Sequence, residues 1–128
     1  VTAEKPDPVK IAYEAAEAIR QLNHVTLNEC LPAPRISATM QALVVMLDRL
    51  PQLFEQLAHQ LQQRQAEGKV VMDTREDPAI VVAEVLAQLA DAKAIAEPAH
   101  YSAYGTPAGA LSKTVHAAAS SLFSMAAK

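Results

Sequence analysis

Residues 40–61 read MQALVVMLDRLPQLFEQLAHQL, and the spacing of their apolar side chains sets the architecture. Met40, Leu47, Phe54 and Leu61 form one row at intervals of seven, and Leu43, Leu50 and Leu57 form another. Two such rows make an a/d seam of about three heptads, the pattern of a helix packed lengthwise against others. Pro51 falls inside the seam. An interior proline removes one hydrogen bond and crowds the carbonyl four residues back, at about 3 kcal/mol. A turn there would shift the phase of the rows, yet the phase is kept. The pattern therefore predicts one helix over 37–67, kinked near Leu47 to Pro51, with Gly68 ending it in the left-handed conformation.

The flanking segments carry weaker stripes behind clear start signals. Asp7-Pro8, Asp77-Pro78 and Thr106-Pro107 each join an N-cap side chain to a proline at the first helical position. There the missing N–H is harmless and φ is preset. Ile11, Ala15, Ile19 and Leu22 line one face of a helix over 8–23, with Lys10, Glu14, Glu17 and Arg20 outward and Asn23 as C-cap. Thr26 to Arg35, with Pro32 and Pro34, reads as a loop. Val82, Val85, Leu89, Ala92 and Ala96 place a third helix over 78–97 or slightly beyond. Leu111, Val115, Ala118, Leu122 and Met125 place a fourth over 107–127. In the connector Lys69 to Glu76, Val70, Val71 and Met72 are expected to clamp onto the bundle. The expectation is all-α: one domain over 1–128, an antiparallel four-helix bundle with a long, proline-kinked second helix.

Composition narrows the function classes. With 128 residues the chain has enough length for a core without disulfides or metal. Only 4% of residues are aromatic, so that core is built from Leu, Val, Ile and Ala. A net charge of -3 and scattered Lys and Arg weigh against a nucleic-acid partner, which requires clustered cations. Arg35, Arg49, Arg64, Lys69 and Arg75 would make a basic patch only if the fold gathered them at one end. The lone Cys30 excludes an internal disulfide and fits a reducing compartment. No stretch is apolar and long enough to span a bilayer, and no signal-peptide core opens the chain, so a cytoplasmic location is expected.

Candidate chemistry is sparse. His24 and Cys30 share a loop and could be joined with His100 or His116, but zinc takes paired ligands at tighter spacing than these. No metal or cofactor is expected. Glu14 with Glu17, or Glu55 opposite a neighbouring helix, could pair carboxylates for acid–base work, yet each sits in an outward stripe where charge is ordinary. His59 and His116 read as solvated, Ser120-Ser121 has no nucleophile elbow around it, and no glycine-rich phosphate loop occurs. No catalytic residues are assigned, and an enzyme is not expected. The row Gln52, Gln56, Gln60 and Gln63 is solvated or meets a polar partner.

The last helix is the unusual surface. Lys113 and Lys128 are its only charged residues, and opposite its core face it offers Ala117, Ala119, Ser120, Ser121 and Ser124. Such a helix lies either at the centre of its own bundle or in a helix–helix interface, most simply a two-fold dimer. The candidate interface residues are Ala117, Ala118, Ser121, Leu122, Phe123 and Met125, with Tyr101 and Tyr104 in the preceding loop as further anchors or as caps on the core.

Leu22-Asn23-His24, the Leu50-Pro51-Gln52-Leu53 step with Gln56-Leu57 after it, and Gly68 leading to Asp77-Pro78 resemble segments of a group of small, alanine-rich, uncharacterised helical proteins of high-GC actinobacteria. The likeness spans residues 13 to 97. It implies a bacterial cytoplasmic setting and carries over no functional residues. The expected function is a non-catalytic protein–protein interaction or regulatory module, self-associating through the C-terminal helix as a homodimer or within a larger assembly. The alternatives are a bundle binding a small apolar ligand near Ala92, Ala96 and Ala118 and, more weakly, an accessory nucleic-acid-associated protein.

Overall fold

Two of the three proline-led helix starts are visible, and both cap as the sequence predicts. Asp7 Oδ1 accepts from the Val9 amide at 3.0 Å and Asp77 Oδ1 from the Ala79 amide at 3.0 Å, each just ahead of its proline. The computed structural model describes residues 5–97 and 110–123. These form four α-helices and no strand: α1 Pro8–Asn28, α2 Ala33–Ala66, α3 Pro78–Ala96 and α4 Ala110–Phe123. Thr106, Pro107 and Pro98 lie outside the described residues. The chain divides by its internal contacts into two compact units, residues 1–32 and 33–128.

In the first unit, α1 runs five residues past the expected end at Asn23. Nothing between Asn23 and Asn28 forces a left-handed backbone, and side chains take up the last carbonyls instead. Thr26 Oγ1 donates to the Leu22 carbonyl at 2.7 Å and Asn28 Nδ2 to the His24 carbonyl at 2.8 Å. No residue of α1 is buried, and along its expected apolar face only Ile19 is even half-buried.

In the second unit, α2 starts at Ala33, earlier than expected, because Pro34 sits in its first turn, where a proline needs no amide partner. It then continues unbroken through Pro51. Its C-terminus is a Schellman turn: the Gly68 amide donates to the Gln65 carbonyl and the Lys69 amide to the Arg64 carbonyl, both at 3.0 Å. Gly68 has φ +68°, the one positive φ among the described residues. In the connector, Val70 and Met72 are half-buried and Val71 is exposed, the alternation of an extended strap.

Burial along α2 shows which flank is in use. One protected row is Met40, Leu47, Phe54 and Leu61, as the sequence predicts. The row that completes the heptad is Ser37, Val44, Pro51, Ala58 and Gln65, with Ser37 and Pro51 buried and the others half-buried. Sequence reading assigned that place to Leu43, Leu50 and Leu57. At Ser37 the small side chain lets α4 approach closely. Ser37 Oγ donates to the Ala119 carbonyl at 2.8 Å in a buried hydrogen bond, and Ala119 has 0% of its surface exposed. Farther along, Lys93 Nζ of α3 lies 3.5 Å from Glu55 Oε2 of α2. At a rise of 1.5 Å per residue α2 is about 51 Å long, and α3 and α4 are about 28 and 21 Å. The two shorter helices therefore share one flank of the long one, and they touch each other only narrowly.

The face of α3 toward α2 matches expectation: Val82 is buried, and Val85, Leu89, Ala92 and Ala96 are half-buried. In α4 the inner face is rotated. Val115 is half-buried and Ala119 buried, whereas Leu111 and Ala118, both expected inward, are exposed. The approach of Ser37 to the α4 backbone explains this, since it requires alanine at the contact rather than leucine. Among the described residues no large side chain is fully buried.

Two substitutions test this packing. Ser37→Ala should lower stability by about 1 kcal/mol through loss of the interhelical hydrogen bond, read as a lower denaturation midpoint at unchanged slope. Gly68→Ala meets no atom within 4 Å, so any loss reports backbone strain alone, expected at about 1 kcal/mol in the same assay.

Candidate interaction surfaces

Beside the occupied seam of α2 runs a second one. Leu43, Met46, Leu50, Leu53 and Leu57 follow in steps of three and four, and none belongs to the two protected rows. Leu43 and Leu50 are half-buried at the shared margin, but Met46 is 39% exposed and Leu53 and Leu57 are each 46% exposed. The leucine row is thus open at Met46, Leu53 and Leu57, while the seam in use pairs Met40, Leu47, Phe54 and Leu61 with Ser37, Val44, Pro51, Ala58 and Gln65. Met46 and Leu53 were missed in the sequence because Leu43, Leu50 and Leu57 pair equally well with the row on either side. The signal was the unbroken three-and-four step from Leu43 to Leu57.

The Glu55–Lys93 pair orients α3 relative to this open row. Glu55 lies across the occupied seam from the leucines, so Lys93 marks the flank of α3 turned away from them. The opposite flank carries half-buried Val85 and Ala92, exposed Ile95 and, one row farther out, exposed Glu84 and Asp91. On the Lys93 side an open groove of about 760 Å³ separates α2 and α3, lined by Phe54, Ala58, His59, Leu86 and Leu89 and bearing the ion pair. It is polar-rimmed and lies elsewhere than the alanine-lined gap anticipated near Ala92, Ala96 and Ala118; Ala118 is exposed and the other two are half-buried.

Of the side chains singled out on the C-terminal helix, Ala119, expected outward, is buried. Ala117, Ala118, Ser120 and Ser121 are exposed, as are Lys113 and His116. Ser121 Oγ donates to the Ala117 carbonyl at 3.0 Å. Leu122 and Phe123 belong to the last turn of α4, with side chains outside the described set; Met125, Tyr101, Tyr104 and His100 are outside the described residues altogether.

The remaining candidates are dispersed. Cys30 is exposed, and His24 Nδ1 lies 3.3 Å from Asn28 Nδ2. Among the described residues no group of three or more His, Cys, Asp or Glu could hold a metal ion. No described helix is long and apolar enough to cross a membrane. Gln52, Gln56, Gln60 and Gln63 are all exposed. The basic residues do not converge at one end: Arg35 and Arg64 sit near opposite ends of α2. Arg64 and Lys69 are both engaged by Glu67, at 3.0 and 3.1 Å. In comparisons with known proteins, no family model, no curated protein and no solved structure matches the chain.

One electrostatic feature is local to α1. Glu17 and Arg20 form a two-pronged ion pair, Nη2 to Oε1 at 2.6 Å and Nε to Oε2 at 2.8 Å. The guanidinium holds the Glu17 carboxyl below its ordinary range, and the carboxylate in turn raises Arg20. Because the folded value is depressed, whatever the pair adds to α1 is present above the unfolded carboxyl range and lost as pH falls through the folded value. Arg20→Ala should move the Glu17 carboxyl titration upward in side-chain carbon NMR. An unmoved midpoint would show that the pair does not persist in solution.

Proposed function

We propose that this chain is a non-catalytic protein–protein interaction or regulatory module that self-associates through the outer face of α4. The observation that carries the interaction reading is the exposed set Met46, Leu53 and Leu57 of α2 beside the occupied seam. Apolar rows left exposed at helical spacing are the surfaces partner helices fill, read as anchors three and four residues apart. The exposed Ala117, Ala118 and Ser121 of α4 support self-association, since small uncharged side chains allow backbones to approach and are inexpensive to desolvate. In this reading α3 and α4 lie antiparallel to α2, and a helix laid on the leucine seam closes the bundle to four. The likeness to actinobacterial helical proteins supports a bacterial cytoplasmic setting.

Light scattering on the full chain tests the self-association. The expected mass is a multiple of 13.7 kDa that falls to one copy on dilution. Ser121→Glu and Ala118→Glu should each yield the single-copy mass with helicity retained, because both positions are exposed in the isolated chain. A single-copy mass at every concentration would remove self-association from the proposal.

A further inference from the structure

We draw no further inference here: the strongest candidate, the open apolar row Met46, Leu53 and Leu57 on α2, is bordered by charges of both signs, Arg35 and Arg49 of α2 and Glu84 and Asp91 of α3, and nothing in the structure shows what covers it.

Discussion

A single buried hydrogen bond, Ser37 Oγ to the Ala119 carbonyl, ties residues 82 positions apart and sets how α4 meets α2. Its net contribution is modest, about 1 kcal/mol, but its geometric demand is large. A hydroxyl reaching a helix carbonyl at 2.8 Å holds the two helices close at that contact. The row containing Ser37 is also buried at Pro51 and half-buried at Val44, Ala58 and Gln65. Pro51 fits the same logic. Its ring is an apolar surface without a donor, and burying it in the seam turns an awkward helix residue into packing area.

From that constraint follows the uneven use of α2. Among the described residues of the second unit, α3 and α4 both pack against α2 and only narrowly against each other. Fully burying a leucine-sized side chain contributes roughly 1.5–3 kcal/mol, and Leu53 and Leu57 realise part of that. A small domain has only about 5–15 kcal/mol of net stability, so this unrealised burial is comparable with a good share of it.

Local signals made much of the fold legible. Asp7-Pro8 and Asp77-Pro78 fix two helix starts, Gly68 fixes the end of α2, and the preserved phase across Pro51 identifies one helix instead of two. Those features act through one or two residues and their own backbone, so no tertiary knowledge is needed. The pairing of rows was not legible. Leu43, Leu50 and Leu57 are the more hydrophobic complement to Met40, Leu47, Phe54 and Leu61, yet the structure uses Ser37, Val44, Pro51, Ala58 and Gln65. What decides this is how α3 and α4 pack against α2, which is a property of the helices together. The same cause rotates the inner face of α4 from Ala118 to Ala119, one residue along the helix. The extension of α1 to Asn28 escaped notice for a different reason: Thr26 and Asn28, ordinarily loop formers, bond back to carbonyls of their own helix.

An exposed leucine row invites indiscriminate association unless something restricts it. Specificity is a difference between affinities, and it can come from making wrong partners costly as much as from making the right one tight. Arg35 and Arg49 stand along the rim at a spacing of two heptads, with uncharged Ala42, Gln56 and Gln63 completing their row. Against another copy of this rim, or any basic helix, the guanidinium groups meet their own kind; against an acidic flank they meet a bidentate acceptor. The glutamines are neutral in this contest and can hydrogen-bond to either. Apolar side chains alone would attract many helices alike; the charged rows on either side, Arg35 and Arg49 of α2 and Glu84 and Asp91 of α3, are of opposite sign and would tell those helices apart.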